Sequence, residues 1–388
     1  MFLVSSVRRG GWIIGKLKRG VCFSILFNYQ TGCGFQSKLR PRSYGGSTMK
    51  KGFLLLGVVV MVVFGIALNG FGAEKVYTWK MQASYPVGTS VMMHGVEWAK
   101  AVEKITGGRL KVEILPPGAM CDVKDIISYL EKGVFDCAIT YGGFYTGLIP
   151  ETDLEIGLPQ GHRTWDEVWD AMYNRGLGQI IQEAYSEHNI KWYPCAADCY
   201  YHFNTNFPVA KLDDLKGRKI RALGVYGKYV QRLGASVVVV PGAEMYMAMK
   251  LGTIDGAIYG ATGLQDIKLH EVVEYYTLPT AAQIALSLVI NKSSLEKLPA
   301  DLRKIVEEGT RYILNDTSNR YITQCKDSLN KSVNMGSVKV SLLPEEEVAK
   351  MRALVKPIWD ELAAKSPRMA KGVEIIKAQM RDLGRPMD

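Results

Sequence analysis

The sequence predicts an α/β protein with two similar lobes that face a shared cleft, and three observations support this fold class. Residues 212–260 read as strand, helix, strand, helix and strand with short connections, the pattern of a sheet covered by helices. Residues 133–142 repeat the order found in residues 252–260: a helix-ending Gly, an Asp three residues later, Ala-Ile, and a Tyr-Gly. A predicted helix over residues 298–333 is about 50 Å long, which is enough to span both lobes.

The repeat between the two halves has an alternative interpretation. Any helix, glycine and strand in succession resembles it, and the two tyrosines are offset by one position. If the repeat reflects two related lobes, each lobe offers an aromatic strand end to the cleft, because ligands in open α/β sheets bind at the carboxyl ends of strands.

The basic charge of the chain belongs to its first 73 residues. The chain has a formal charge of +10, and residues 1–73 contain ten Lys or Arg and no Asp or Glu. Residues 74–388 therefore carry no net charge. This balance excludes a nucleic-acid-binding interpretation of the basic composition.

Residues 49–73 have the pattern of a secretory signal peptide. Two lysines follow Met49, residues 53–68 are largely apolar, and small residues come next. The apolar run is shorter than the roughly 20 residues of a transmembrane helix, although an uncleaved anchor is the alternative. Residues 1–48 lack periodicity, and we interpret them as an over-extended gene start from which no fold is expected.

The hydrophobic pattern from residue 74 onward predicts alternating strands and helices. Strands are expected at residues 77–83, 110–114, 135–141, 191–193, 220–222, 237–240, 253–259 and 285–291. Helices are expected at residues 91–105, 122–132, 165–187, 243–251, 298–333, 344–365 and 368–383, with one more between the strands at 220–222 and 237–240.

Five cysteines lie in residues 74–388, at positions Cys121, Cys137, Cys195, Cys199 and Cys325. An odd number cannot pair fully within one chain, and no Cys-x-x-Cys pair is present for zinc or redox chemistry. Cys195 and Cys199 are close enough for a local disulfide, and two buried free thiols are the alternative. A chain of this length can bury an ample core without disulfides.

Motifs for catalysis or metal binding are absent from the sequence. The five histidines form no i, i+4 pair, and there is no Gly-x-Ser-x-Gly, phosphate loop or His-Glu-x-x-His. Each histidine is therefore expected at the surface or in packing. Asp136 and Asp255 follow helix-ending glycines, which favours a structural role at the helix–strand turn over acid–base chemistry. An exported enzyme acting on a small acid is the minor alternative.

Tyrosines are concentrated at predicted strand ends and turns, at Tyr85, Tyr141, Tyr145, Tyr200, Tyr201, Tyr226 and Tyr259. A tyrosine offers an apolar ring and a hydroxyl, which suits a cleft that encloses a small organic ligand. Most are expected to be ordinary half-buried residues. We select four as ligand contacts, namely Tyr85, Tyr141, Tyr200 and Tyr259.

Arg221 is the strongest candidate for a ligand-binding residue because it interrupts an apolar strand. Its planar guanidinium matches the two oxygens of a carboxylate and stays charged at any relevant pH. Each charge-assisted hydrogen bond of this kind is worth about 1.5–3 kcal/mol. A structural salt bridge is the alternative.

Several motifs together resemble the DctP-type substrate-binding proteins of TRAP transporters. They are Leu-Lys-Gly-Arg-Lys-Ile-Arg at 215–221, Leu-Gly-Ala at 233–235, Pro241, Glu-Met-Tyr at 244–246, Gly252 and Ile-Asp-Gly-Ala at 254–257. The resemblance covers nearly all of residues 74–388. It implies the two-lobe periplasmic binding protein fold, with lobes joined by crossing strands and a long spanning helix. It also implies an exported receptor that is not an enzyme, holds no cofactor and delivers a small organic carboxylate to membrane permease subunits.

The resemblance assigns residue roles as well. The arginine that closes the Lys-Ile-Arg strand binds the ligand carboxylate in this family, and here it is Arg221. The Pro-Gly-Ala-Glu-Met-Tyr form at 241–246 is most similar to the branch that binds 2-oxo and 2-hydroxy acids, in which positions matching Tyr200 and Tyr259 contact the ligand. Some relatives hold a cation with an acidic residue just before that aromatic. Ile258 stands there in this chain, so no metal is expected.

The resemblance leaves the assembly and the downstream partner open. The first lobe is expected from residues 74–197 and about 284–326, and the second from about 198–283 and 327–388 with the C-terminal helices. The protein is expected as a monomer or as a homodimer through those helices. A sensor subunit that reports ligand to a receptor instead of a permease is the alternative function.

Overall fold

The computed structural model describes residues 74–197 and 201–387, and the strands of these residues form two sheets. The strands are β1 Tyr77–Ala83, β2 Leu110–Leu115, β3 Cys137–Thr140, β4 Ile190–Ala196, β5 His202–Thr205, β6 Lys219–Arg221, β7 Ser236–Val238, β8 Gly256–Tyr259, β9 Tyr275–Leu278, β10 Ala285–Asn291 and β11 Lys339–Leu342. The α-helices are α1 Met93–Ile105, α2 Ile126–Glu131, α3 Thr152–Glu155, α4 Trp165–Tyr173, α5 Leu177–Ser186, α6 Val225–Arg232, α7 Met245–Lys250, α8 Gly263–Asp266, α9 Lys292–Glu296, α10 Ala300–Asn334, α11 Glu345–Ala363 and α12 Pro367–Asp382. The expectations for residues 1–73, Cys199 and Tyr200 lie outside the described residues.

The two sheets have the same strand pattern, which confirms the two-lobe α/β fold. The first sheet has the order β2-β1-β3-β10-β4, and the second has the order β11-β9-β5-β8-β6-β7. In each, one strand pairs in parallel with two neighbours, β1 with β2 and β3, and β6 with β7 and β8. Two antiparallel pairings follow, β3–β10–β4 and β8–β5–β9. We use lobe I and lobe II for the parts of the chain built around the first and the second sheet.

The chain crosses between the lobes at three places. The third crossing runs through α10 to β11 of lobe II, and the first two each supply an antiparallel strand to the other sheet. β4 of lobe I leads to β5 of lobe II, and β9 of lobe II leads back to β10 of lobe I. The crossing strands are therefore a direct property of the sheet order. The cleft between the lobes lies where the carboxyl ends of the parallel strands β3, β6 and β8 point.

Equivalent aspartates tie the parallel strands together in the two lobes. Asp136 precedes β3 and accepts a hydrogen bond from the backbone N–H of Lys80 in β1 at 2.8 Å. Asp255 precedes β8 and accepts one from the backbone N–H of Lys219 in β6, also at 2.8 Å. Both residues are structural, as predicted, but these bonds join two neighbouring strands instead of closing the helix–strand turn.

Helix α10 runs along both lobes, as its predicted length requires. It packs against α1 and β4 in lobe I and against α8 in lobe II. The hydroxyl of Ser328 donates to the carbonyl of Ala261 at 2.7 Å, and the amide of Gln265 donates to the hydroxyl of Ser332 at 2.8 Å. The C-terminal helices also reach both lobes, because α11 packs on α6 and α12 packs on α5.

Two groups of predicted elements differ from the structure. The single helix expected at residues 165–187 is wrong, because α4 ends at Tyr173 and α5 begins at Leu177 after a left-handed Gly176 with φ of 92°. Strands β5, β9 and β11 were not anticipated. Each has only four residues, too few for a period-two pattern to stand out.

Of the four described cysteines, three are free thiols and one is disulfide-bonded. Cys195 is a buried free thiol, so it forms no local disulfide with Cys199. Cys121 and Cys137 are also free, whereas Cys325 is disulfide-bonded. Among the helices of the described residues, none combines the length and hydropathy needed to cross a bilayer.

Candidate functional site

Arg221 is a buried cation that has no acidic partner among the described residues. It is the last residue of β6, its side chain is 3% exposed, and no Asp or Glu oxygen of the described residues lies within 4.0 Å of it. Its Nε donates to the carbonyl of Val240 at 3.1 Å, and its Nη1 donates to the carbonyl of Ile258 at 3.4 Å. The guanidinium has five N–H donors, so these two bonds fix its orientation and leave donors for a ligand.

Arg221 lines a small cavity between the lobes. The cavity is almost filled by its own side chains in this structure, because only about 10 Å³ is open to a water molecule, room for about one. The cavity is lined by Tyr85, Val91, Tyr141, Ala197, Tyr201, Arg221, Tyr259, Ile284 and Leu286. Both lobes contribute to this wall. Arg221 is its only charged side chain among the described residues, so the site combines one cation with aromatic and aliphatic surface.

Tyr141 and Tyr259 occupy equivalent positions at strand ends of the two lobes. Tyr141 follows β3, and Tyr259 is the last residue of β8. A glycine packs against each ring: a Cβ on Gly143 would lie 2.3 Å from a Tyr141 ring carbon, and one on Gly263 would lie 2.5 Å from a Tyr259 ring carbon. Only glycine allows the chain to approach the rings this closely. The repeat in the sequence therefore corresponds to a repeated ring-and-glycine arrangement at the cleft.

The hydroxyl of Tyr141 is buried and has no well-aligned hydrogen-bond partner among the described residues, although the phenol of Tyr201 interacts with it. Burial, with the neighbouring phenols of Tyr201 and Tyr226, raises the pKa of Tyr141 well above its usual value. The phenol therefore stays protonated and can donate a hydrogen bond. An unsatisfied buried hydroxyl costs about 1–3 kcal/mol, a cost that a ligand oxygen in the cavity would offset.

Tyr85, a residue of lobe I, lies beside residues of lobe II at the cavity. A Cβ on Gly242, in the Pro-Gly corner of lobe II, would lie 3.8 Å from the Tyr85 ring and 3.4 Å from the Tyr259 hydroxyl. The guanidinium carbon of Arg221 lies 5.6 Å from the centre of the Tyr259 ring, within cation–π range. The cavity is thus closed on several sides by aromatic surface.

The structure brings Arg221, Tyr85, Tyr141 and Tyr259 together around one cavity, while Tyr200 lies outside the described residues. Ligand contact by any of these residues stays a prediction. Sequence reasoning missed Tyr201, although it stood in the larger tyrosine set, and it missed the aliphatic part of the wall. Ile284 and Leu286 alternate along the start of β10, a signal that resembles ordinary core packing.

Two buried ionisable groups support the walls of the cavity. His94 bonds Thr317 through Nδ1 and the carbonyl of Ala196 through Nε2, both at 2.8 Å, and burial lowers its pKa to about 4. Glu155 accepts hydrogen bonds from Ser287 at 2.5 Å and from Tyr185 at 2.7 Å, and burial raises its pKa to about 7. Neither group lines the cavity, so both are structural.

Comparison with known proteins now identifies the family. The model of bacterial extracellular solute-binding proteins, family 7 (DctP), matches residues 83–366. The chain belongs to this family. A DctP-like relative from Nostoc sp. strain PCC 7120, named a monocarboxylate 2-oxoacid-binding periplasmic protein, is 24% identical over 77% of this chain and 83% of its own length.

Solved structures of TRAP solute-binding proteins share the fold. One from Pseudoalteromonas atlantica, with bound sodium and pyruvate, has a TM-score of 0.71 and 22% identity over 80% of this chain and 95% of that one. One from Bordetella bronchiseptica, a dimer with calcium and picolinate in one site, has a TM-score of 0.72 and 21% identity over 80% and 93%. The protein is therefore a DctP-family receptor by fold and by family.

The described residues of this DctP-family chain do not fit the cation seen in those two structures. Ile258 is completely buried and has no side-chain oxygen, and none of the described residues that line the cavity is acidic. In residues 74–197 and 201–387, no group of three or more His, Cys, Asp or Glu side chains could hold a metal ion. Metal-bridged ligand binding has no support from these residues.

Proposed function

We propose that this protein captures a small monocarboxylate, of the 2-oxo or 2-hydroxy acid class, and delivers it to the membrane permease of a TRAP transporter. The observation that carries the proposal is Arg221, a buried guanidinium with no acidic partner among the described residues, which faces a cavity walled by tyrosines. A carboxylate is the anion whose two oxygens match the fork of that guanidinium.

The cavity wall favours one carboxylate over two. Arg221 is the only charged lining residue among those described, so a second carboxylate would enter an apolar region without a cation. The hydroxyl of Tyr141 can donate to a 2-oxo or 2-hydroxy oxygen beside the carboxylate. The apolar side chains of Val91, Ile284 and Leu286 suit a short hydrocarbon substituent. The name of the Nostoc relative supports the same ligand class.

The protein is proposed to act by closing and not by catalysis. The two lobes are joined by crossing strands and α10, so ligand binding shifts the population between open and closed arrangements. The described site has no nucleophile paired with a base, which supports a receptor over an enzyme. Delivery to a permease is preferred over sensing because the family comprises solute-binding proteins.

The location follows from the family and from the leader. Export through a signal peptide at residues 49–73 would place the folded part in the periplasm, in agreement with the extracellular family description. The oligomeric state is either a monomer or a homodimer through α11 and α12. Both states are compatible with a ligand cavity formed within one chain.

A thermal-shift screen of residues 74–388 tests the proposal. Pyruvate, lactate and longer 2-oxo acids should raise the midpoint of unfolding, because a ligand at 100 times its Kd stabilises by about 2.7 kcal/mol. Succinate, malate and sugar acids should give smaller shifts. The assignment is wrong if no monocarboxylate produces a shift, and the ligand class is wrong if dicarboxylates give the largest one.

A further inference from the structure

Two aspartate side chains form hydrogen bonds between the lobes. Each accepts a bond from the N-terminus of a helix in the other lobe. Asp266, the last residue of α8 in lobe II, accepts hydrogen bonds from the backbone N–H and the hydroxyl of Ser90 in lobe I, each at 2.8 Å. Asp153, in α3 of lobe I, accepts one from the backbone N–H of Val225 in lobe II at 3.0 Å. The two contacts are reciprocal.

Both helices lack a cap of their own. Ser90 begins a turn that continues into α1, Thr89 makes no side-chain capping bond, and the first turn of α1 has no acidic residue. Val225 is the first residue of α6, which follows Gly224 and also has no acid in its first turn. Helix N-termini have unsatisfied N–H groups and a partial positive charge. The other lobe supplies the missing carboxylate in each case.

The capped helix ends adjoin the ligand cavity. Val91, which lines the cavity, directly follows Ser90, and Val225 comes four residues after Arg221. Each carboxylate therefore links one wall of the cavity to the opposite lobe. Asp153 is buried and Asp266 is partly buried, and desolvation raises the pKa of both carboxyl groups. Asp153 also bonds the ammonium of Lys365 at 3.0 Å.

We propose that Asp153 and Asp266 are positioning residues that hold the lobes closed and so set ligand affinity without touching the ligand. This inference rests on the proposed function, since closure matters only if a ligand is held in the cleft. The apparent Kd of a ligand rises when the binding-competent state is less populated. Loss of either carboxylate makes closure less favourable and leaves Arg221 and the tyrosines in place.

The chain offers a matched control for the test. Asp136 accepts hydrogen bonds from a backbone N–H at 2.8 Å and from the hydroxyl of Ser294 at 2.6 Å, the same pair of bonds that Asp266 makes. Both partners of Asp136 lie in lobe I. Asp136→Ala therefore removes equivalent bonds without affecting contacts between lobes.

The experiment compares residues 74–388 as wild type, Asp266→Ala, Asp153→Asn and Asp136→Ala. Titration calorimetry gives the Kd of pyruvate, stopped flow gives its dissociation rate, and small-angle scattering gives the radius of gyration without ligand. Asp266→Ala should weaken pyruvate binding on the order of ten- to a hundredfold, from the loss of two charge-assisted bonds. Asp153→Asn should weaken it less, and both variants should release pyruvate faster. Asp136→Ala should lower the melting temperature and leave the Kd unchanged.

Two outcomes overturn the inference. One is an unchanged pyruvate Kd in both cross-lobe variants, and the other is an equal loss of affinity in Asp136→Ala. If the wild type binds no carboxylate, the proposed function fails, and scattering still decides the role of the aspartates. A larger radius of gyration in Asp266→Ala and Asp153→Asn than in wild type supports it, and an unchanged radius rejects it.

Discussion

The guanidinium carbon of Arg221 lies 5.6 Å from the centre of the Tyr259 ring, and both side chains come from the same face of the second sheet. Arg221 pairs with Ala257 in β8, two residues before Tyr259, which places the cation and the ring on neighbouring strands. The ring covers the guanidinium without neutralising its charge. The positive charge therefore remains available to an anion in the cavity.

Arg221→Ala should abolish the thermal shift caused by monocarboxylates. Without ligand, the variant should melt at the same temperature as wild type or slightly higher, because it removes a buried charge that has no acidic partner among the described residues. Thermal shift and calorimetry check both effects. Arg218→Ala is the matched control. Arg218 is exposed, lies three residues before Arg221, and has its guanidinium over the ring of Phe207. Retained micromolar binding in Arg221→Ala would refute the assignment.

Tyr141→Phe should separate stability from affinity. The hydroxyl of Tyr141 has no well-aligned partner among the described residues, so its removal should leave the free energy of unfolding unchanged or raise it by up to about 1 kcal/mol. Binding of a 2-oxo acid should weaken by about 3- to 10-fold through the lost hydrogen bond. Tyr145→Phe serves as the contrast, because that hydroxyl bonds Thr140 and the carbonyl of Val123 and its loss should destabilise the protein. Equal effects of both variants on affinity would contradict a ligand contact by Tyr141.

Pyruvate binding should be insensitive to divalent cations. The described cavity wall has no carboxylate, and Ile258 offers no oxygen. Calorimetric Kd values measured with excess EDTA and with excess calcium should agree within error. A Kd that rises strongly in EDTA would show that a cation takes part in binding.

Glu155→Gln should change how stability depends on pH. Burial raises the pKa of Glu155 from its usual 4.5 to about 7 in the folded protein. The stability that this protonated carboxyl contributes is therefore present below pH 4.5 and is lost as the pH rises towards 7. The glutamine stays neutral, so the variant should gain up to about 3 kcal/mol relative to wild type between pH 4.5 and pH 8.

Denaturant unfolding of both proteins across this pH range measures the effect. Groups shared by both proteins, such as His94 with its pKa lowered to about 4, cancel in the difference. A difference that is constant with pH would mean that folding does not shift the pKa of Glu155.

The lobes were predictable because their parallel strands and the helices beside them have strong periodic patterns. β1, β3, β8 and β10 are largely buried and follow from short apolar runs. The break at Gly176 was not predictable in the same way, since apolar spacing continues through it and only the left-handed backbone reveals the turn. β5 and β9 are identified by their partners in the sheet and not by their own four residues.

The sequence predicted Arg221, the charged residue of the site, better than it predicted the other residues that line the cavity. Arg221 stands out in the sequence because a charge in an apolar strand requires a partner. The sequence could not show that Tyr201 lines the cavity and Tyr226 does not. Tyr226 is equally buried, and its hydroxyl donates to the carbonyl of Gly157. The cross-lobe bonds of Asp153 and Asp266 join residues that are distant in the chain. No local pattern reports such a bond.

The guanidinium of Arg221, which has no acidic partner among the described residues, should also make closure without a ligand less favourable. Bringing the lobes together around a buried cation removes water from a charge, which is costly in a low-dielectric interior. An incoming carboxylate removes that cost at the moment it binds. If Arg221 binds the ligand carboxylate as proposed, its charge also selects against neutral molecules of similar shape, because they leave the electrostatic cost of closure in place. A permease that accepts only the closed form would then rarely engage an empty receptor.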